Sequence, residues 1–149
     1  MSNFSVLSQH DEQLLRLGML AEKYFAEDPN TCLLKLRQLA ESLAQLLAAR
    51  TGLYISSEET QYDLLRRLQD SGVLPREVFQ MFNEVRRAGN AASHSLSGDH
   101  RAALSTLKLA RQIGLWFHRT FKDANYKSGP FIPPPTPQNE STELRAEME

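Results

Sequence analysis

Apart from a packed core, the sequence has few of the features that stabilise a protein or anchor it to a membrane. Its single cysteine, Cys32, allows neither an internal disulfide nor a cysteine-based zinc site. No stretch approaches the roughly 20 consecutive apolar residues of a membrane-spanning helix. The N-terminus, MSNFSVLSQHDEQ, lacks the basic and apolar segments of a secretory signal. We therefore expect a cytoplasmic protein with no membrane contact.

Neither sign of charge is in excess. The chain has 17 Lys and Arg residues against 18 Asp and Glu residues, which gives a formal net charge of -1. Strong non-specific nucleic-acid binding needs an excess of basic side chains that displaces counterions, and this sequence lacks one. The balance of charge does not exclude a local basic face. With 149 residues and a hydrophobic content of 41%, the chain is long and apolar enough to form one domain.

Familiar signatures of catalysis are also absent. The sequence contains no glycine-rich phosphate loop, no Gly-x-Ser-x-Gly and no strand-borne carboxylate cluster of the nuclease type. His10, His100 and His118 stand alone in the sequence, so no His/Asp/Glu spacing predicts a metal site. We expect neither a metal nor another cofactor.

The apolar pattern is helical along almost the whole chain, with hardly any alternation typical of strands. The second predicted helix carries the longest apolar stripe, which includes Leu39, Leu43 and Leu46, and is expected to be central. Short connections favour antiparallel neighbours, so we predict an all-α, compact bundle of about five mostly antiparallel helices. Capping and breaking residues predict helix starts at Ser8, whose spacing to Asp11 fits a capping box, and at Asp28-Pro29, Thr60, Pro75 and Ser97-Gly98.

The composition changes after Lys127. The run Pro133–Pro137, which contains four prolines, favours extended polyproline geometry, and the residues after it are polar and charged. We predict a helical bundle domain over residues 1–127 and a Pro-rich linker or flexible tail over residues 128–149. A linker would join the bundle to something larger, and a frayed terminus is the alternative.

The segment RRAGNAASH, residues 86–94, is the strongest candidate for a functional site. Arg86, Asn90 and His94 are spaced i, i+4, i+8, and Arg87 shares a face with the last two if the helix is continuous. Arginine and amide side chains bind phosphate, and imidazole exchanges a proton near neutral pH. Such a face is suited to binding or cleaving a phosphodiester.

A structural role is the preferred interpretation of the same segment, and the binding or catalytic role is its alternative. Gly89, with the asparagine after it, is able to end or bend the helix, and the small residues around it allow close helix approach. His94 would then donate to a carbonyl, and Arg86 would pair with Glu41 or Glu84. Under this interpretation the segment locks a helix junction through a buried polar network.

Other charged residues are candidates for the same network or for a basic surface. Arg37 and Glu41 lie four residues apart, as in a helix-surface ion pair. The dipeptides Arg66-Arg67 and Arg86-Arg87 would form a basic patch if their helices were neighbours, although a solvated face is the preferred explanation.

Several short motifs together point to a known family. The most specific is Arg-x-x-Gly-Asn-x-x-x-His, which begins at Arg86 and ends at His94. With the weaker motifs, it resembles the helical domain at the N-terminus of type I restriction enzyme R subunits. The weaker motifs are Ser2-Asn3-Phe4, Ala21-Glu22, Asp28-Pro29-Asn30-Thr31, Leu36-Arg37, Glu41, Asp63-Leu64-Leu65, Trp116 and Phe131-Ile132-Pro133.

This resemblance implies that DNA cleavage and ATP-driven translocation belong to domains downstream of the helical one. The present sequence contains neither the nuclease residues nor the helicase motifs. The implied function is therefore a non-catalytic accessory module in DNA restriction and defence against phage, which acts in assembly or in contact with a partner or nucleic acid. The implied partners are downstream nuclease and helicase domains or other restriction subunits.

The segment is also similar to the wider HEPN superfamily, many of whose members are RNases or toxins with an Arg-x(4–6)-His motif. Six residues separate Arg87 from His94, which fits that range. The resemblance implies an alternative function as a metal-independent RNase or toxin, with Arg87 and His94 in the active site and Asn90 supporting them. HEPN-like domains often pair through the motif helices, so a homodimer is left open.

Overall fold

The computed structural model describes residues 2–94 and 99–136. Those residues contain helices and no strands, which confirms the predicted all-α bundle. None of the helices in the described ranges is long and apolar enough to cross a membrane. The elements are a short 3₁₀ helix, Ser5–Gln9, and five α-helices: α1, Glu12–Tyr24; α2, Pro29–Arg50; α3, Gln61–Asp70; α4, Arg76–Ala92; and α5, His100–Phe121.

Local sequence signals account for most helix ends. Asp28 caps α2 and Thr60 caps α3, each accepting a hydrogen bond from the backbone N–H three residues further on. Pro29 occupies the first turn of α2, where its missing N–H costs nothing. Gly52 and Gly72 follow α2 and α3 with φ angles of 75° and 78°, a left-handed conformation that glycine adopts without strain.

The predicted start of the first helix at Ser8 is wrong. The Ser8 hydroxyl donates to the Ser5 carbonyl oxygen at 3.0 Å and so belongs to the preceding 3₁₀ helix. Asp11 is the cap of α1, since its carboxylate accepts from the backbone N–H of Gln13 at 2.9 Å. The predicted start of the fifth helix at Ser97-Gly98 lies outside the described residues, and the cap of α5 is Asp99.

The helix α2 lies at the centre of the bundle, as its apolar stripe predicts. It contacts α1, α3, α4 and α5, and both Leu39 and Leu43 are fully buried, while Leu46 is partly buried against the core. The 3₁₀ helix packs on α1 and α5. Four buried phenylalanines from different parts of the chain complete the core: Phe4, Phe25, Phe82 and Phe117.

The segment after α5 contacts the bundle at several points. Asn3 donates through Nδ2 to the Ile132 carbonyl oxygen and accepts at Oδ1 from the Ile132 N–H, both at 2.8 Å. Arg111 donates to the Gly129 carbonyl oxygen, and Phe131 packs against the core. The predicted domain end at Lys127 stays a prediction, but these contacts favour an end beyond Ile132. Residues 137–149 of the predicted tail lie outside the described residues.

Two truncations test where the folded domain ends. A chain ending at Thr136 keeps the contacts of Ile132 and Phe131, so its thermal midpoint should equal that of the whole chain. A chain ending at Lys127 loses them and should melt several degrees lower, since about 1 kcal/mol shifts the midpoint by roughly 2–8 °C in domains of this size. Equal midpoints for both truncations in thermal melts would place residues 128–136 outside the folded domain.

Candidate functional site

The predicted helix end at Gly89 is wrong, because α4 continues through Gly89 and Asn90 to Ala92. Gly89 is buried and faces α2, where a Cβ atom added to it would lie 2.6 Å from Cβ of Arg37. That distance is shorter than any real contact between such atoms. The glycine therefore serves the close approach of α4 to α2, rather than a turn.

Arg37 connects α2 to the next residue of α4. Its Nη1 donates to Asn90 Oδ1 at 3.3 Å, and its Nε lies 3.5 Å from Oε1 of Glu41, so the predicted i, i+4 pair is present. The Nε atom is buried and has no hydrogen bond within the described part of the chain. The Glu41 contact is therefore one of charge. Arg37, Glu41, Gly89 and Asn90 form one small cluster, which we call the α2–α4 junction.

Arg86 lies elsewhere on α4 and faces α3. Its Nε donates to Asn83 Oδ1 at 3.0 Å, and its guanidinium carbon lies 5.2 Å from the centre of the Tyr62 ring. These contacts replace the predicted ion pair with Glu41 or Glu84, neither of which lies within ion-pair distance of Arg86. Arg86 therefore does not join the α2–α4 junction.

His94 lies beyond the helix that carries the rest of the motif. It is exposed, follows Ala92 by two residues and donates its backbone N–H to the Ala91 carbonyl oxygen at 3.2 Å, in a turn. The helical spacing that would place it on a face with Arg87 and Asn90 therefore does not apply. Arg87 is exposed on α4. The structure thus brings together four of the seven predicted site residues and leaves Arg86, Arg87 and His94 outside that cluster.

The position of His94 gives a direct prediction. His94→Ala should change the free energy of unfolding by no more than about 0.5 kcal/mol, as is usual for exposed side chains. Chemical denaturation measures this change. If the chain has the alternative RNase function, the same variant abolishes RNA cleavage that persists in EDTA. A stability loss above 1 kcal/mol would show that the imidazole has a structural partner.

A second polar cluster, which the sequence did not reveal, joins three helix ends. His10 Nε2 lies 2.9 Å from His118 Nδ1, and Arg50 Nη1 lies 3.0 Å from His10 Nδ1. His118 is buried in the last turn of α5, and Arg50 is the last residue of α2. The guanidinium of Arg50 also lies 5.2 Å from the centre of the Phe117 ring. We call His10, Arg50 and His118 the histidine cluster.

The chemistry of Arg50 determines where the protons of this cluster lie. A guanidinium only donates hydrogen bonds, so His10 Nδ1 accepts, and the His10 proton is on Nε2. That N–H donates to His118 Nδ1. Burial, followed by the charges of Arg50 and His118, lowers the pKa of His10 to about 4 from its ordinary 6.5. Burial also lowers the pKa of His118. Both imidazoles are therefore neutral at pH 7.

Neither sequence spacing nor a motif could have revealed this cluster. His10 and His118 are 108 residues apart in sequence, and the prediction that both stand alone is wrong. Within residues 2–94 and 99–136, no group of three or more His, Cys, Asp or Glu side chains is placed to hold a metal ion. Cys32 is buried, and burial raises the pKa of its thiol to about 12, so it is not a nucleophile at neutral pH.

The family comparison covers the α2–α4 junction in full and the histidine cluster in part. A domain of unknown function, DUF4145, matches residues 20–122, a range that includes the whole α2–α4 junction, Arg50 and His118 but not His10. This chain belongs to the DUF4145 family. The match begins within α1 and ends just after α5, so it includes α2 to α5 and only the end of α1.

A curated relative of this DUF4145 chain is the type I restriction enzyme EcoKI endonuclease subunit of Escherichia coli (strain K12). The two are 31% identical over 139 residues, which is 93% of this chain and 12% of that protein. The chain thus spans about an eighth of the length of this relative. The predicted similarity to restriction enzyme subunits is confirmed, whereas the similarity to the HEPN superfamily stays a prediction. No solved structure matches the chain.

The close packing at the α2–α4 junction of this DUF4145 domain predicts that one added methyl group at Gly89 lowers the stability of the fold. Gly89→Ala places a Cβ atom against Cβ and Cδ of Arg37, at 2.6 and 2.8 Å, so the two helices must move apart. We expect a loss of about 1–3 kcal/mol in the free energy of unfolding, the usual cost of overpacking. Gly129→Ala is the matched control, since a Cβ atom there meets nothing within 4 Å. Equal stabilities in urea denaturation would show that the junction adapts.

Proposed function

We propose that this DUF4145 chain is a non-catalytic helical module of a type I restriction system, which acts in the assembly of a larger enzyme. One observation carries the proposal: the similarity to the EcoKI endonuclease subunit extends over 93% of the chain. A likeness of that extent includes the whole bundle rather than one motif. The matched part is 12% of the relative, so in that protein the bundle is one part of a larger subunit.

The geometry of the motif supports an accessory role. Gly89 and Asn90 are used to pack α4 against α2 and to hold Arg37, which is a structural task. Arg87 and His94, on which the RNase alternative rests, are exposed and not on a common helical face. A metal-independent RNase would require both groups at one phosphodiester. No observation favours that alternative, and the His94 variant tests it.

A restriction assay in the natural host tests the proposal. Deletion of the coding region for this chain should raise the plating efficiency of unmodified phage toward that of a host without the restriction system. Two variants in α2 refine the assay: Leu43→Asp, which disrupts the core, should act like the deletion, and Gln38→Ala, which changes an exposed residue, should act like the wild type. Equal restriction of phage by the deletion strain and its parent contradicts the proposal.

The assembly role has its own measurement. The chain, tagged in its natural host, should co-purify with the DNA-modification and specificity subunits of the same restriction system. The Gln38→Ala variant should retain this association, because Gln38 is exposed and distant from the core stripe of α2. Isolation of the chain without those subunits, from cells that do restrict phage, would show that it does not act in assembly.

A further inference from the structure

The surface between α3 and α4 holds two arginines against one exposed aromatic ring. The guanidinium carbon of Arg66 lies 5.9 Å from the centre of the Tyr62 ring, and that of Arg86 lies 5.2 Å from the same centre. Tyr62 is 40% exposed, Arg66 is exposed, and Arg86 is partly buried. We call these three residues the arginine surface. It brings one arginine from each of the two dipeptides, Arg66-Arg67 and Arg86-Arg87, to one ring.

No carboxylate among the described residues forms an ion pair with either arginine of this surface. The ion pairs within the described residues are Arg37–Glu41 and Arg67–Glu59, so no carboxylate lies within 4.0 Å of either guanidinium of the arginine surface. The Tyr62 ring attracts both cations, but the attraction of a ring for a cation is weak at exposed sites. Two like charges near one ring repel each other, and an anion bound across them would remove that repulsion.

The hydrogen bond from Arg86 to Asn83 orients one of the two cations. Asn83 accepts from Nε of Arg86, which leaves both Nη groups of Arg86 free of that bond. The donors of the two Nη groups form the fork that arginine uses to bind phosphate. Asn83 and Arg87 also line an open depression on α4, together with Phe79, Gln80 and Glu84, so the polar surface that continues along the helix carries charges of both signs.

We propose that the arginine surface binds the phosphodiester backbone of a nucleic acid, with Arg66 and Arg86 each contacting a phosphate. Phosphates follow one another about every 3.4 Å along the axis of each strand of duplex DNA. Two guanidinium groups held at one ring are therefore close enough to contact phosphates of one strand. Tyr62 is a positioning residue that holds the two arginines, and the backbone contact carries no base specificity.

The net charge of -1 limits the strength of this binding. Few phosphates are neutralised, so few counterions are released, the affinity is modest, and it falls with salt with a slope of only about 1 for each phosphate contacted. This suits a module that adds a local contact within a larger assembly. The proposal does not depend on a restriction function, because it concerns binding by the purified chain, and the plating assay can fail while the binding assay succeeds.

Fluorescence anisotropy with the purified whole chain tests the proposal. The probes are a labelled 20-base-pair DNA duplex and an RNA of the same length, each titrated at several salt concentrations from 20 to 200 mM. Comparison of the two probes shows whether the surface prefers DNA or RNA. The double variant R66Q/R86Q should weaken binding to the better probe and lower the salt slope by roughly 1 for each arginine removed. Tyr62→Phe should bind like the wild type, and Tyr62→Ala should lose part of the affinity.

The matched control is R16Q/R101Q, which removes the same charge from two exposed arginines on α1 and α5. It should leave the affinity and the salt slope nearly unchanged. Because Arg86 is partly buried, Arg66→Gln alone serves as the second variant, and thermal melts confirm that each variant is folded. Absence of binding by the wild type at 20 mM salt, equal losses in R66Q/R86Q and R16Q/R101Q, or equally tight binding of poly-glutamate would each overturn the proposal.

Discussion

Leu43→Ala is expected to lower the free energy of unfolding by about 2–5 kcal/mol, the cost of removing a buried leucine and leaving a cavity. Leu43 is 1% exposed and lies in the middle of α2, which contacts the four other α-helices. The larger the part of that cavity that the neighbouring side chains leave unfilled, the greater the loss. Denaturation in guanidinium chloride, with an unchanged slope, measures the loss.

The control for Leu43→Ala lies on the same helix. Gln38→Ala changes an exposed residue of α2, and alanine favours helix, so this variant should be as stable as the wild type or slightly more stable. A loss of less than roughly 1 kcal/mol in Leu43→Ala would mean that the bundle collapses around the missing side chain, contrary to the close packing that protein interiors show.

Acidification is expected to destabilise the protein between pH 6.5 and about 4. His10 has a pKa of about 4 in the folded chain and an ordinary value of 6.5 once unfolded. The unfolded state therefore binds a proton more readily across this range, and stability that is fully present above pH 6.5 is lost as the pH falls. A tenfold difference in proton affinity is about 1.4 kcal/mol. After a discount for its partial exposure, His10 should contribute roughly 2 kcal/mol.

The groups around His10 explain why protonation is unfavourable there. Burial is the largest cause of the lowered pKa of His10, followed by the charges of Arg50 from α2 and of His118 and Lys122 at the end of α5. Arg50 already donates to Nδ1. A second proton, on Nδ1, would face that guanidinium. Near His118, Asp123 opposes the charges of Lys122 and Arg119, but burial has the largest effect and its pKa is still lowered.

Denaturation curves from pH 4.5 to pH 8 measure this dependence. His10→Gln removes the titrating group and should flatten the curve, whereas His94→Gln changes an exposed histidine and should not. Asp28 and Glu59, whose pKa values are lowered by hydrogen bonds from Thr31 and Arg67, lose their contributions only below their ordinary values of 3.8 and 4.5. An equal pH slope in His10→Gln and the wild type would exclude the histidine cluster as the cause.

The sequence predicted those parts of the site that depend on neighbours along one helix. The Arg37–Glu41 pair is present because residues four apart lie on one face of α2. The small residues around Gly89 indicated a close approach of helices, and α4 does approach α2 there. The prediction failed where it assumed the length of a helix: α4 passes through Gly89 and ends before His94.

Local signals alone determined the all-helical class, the caps at Asp28 and Thr60, the turns at Gly52 and Gly72 and the central position of α2. Capping, glycine conformation and apolar periodicity depend on residues a few positions apart, so the sequence of one short segment is enough to predict them. Tertiary structure decided which polar groups meet. Arg86 contacts Tyr62 rather than Glu41, and His10 contacts His118, which is 108 residues away in the sequence. Such contacts depend on how helices rotate and cross when they bury their apolar faces. The residue spacing within one segment does not determine that rotation, so these contacts could not be predicted from it.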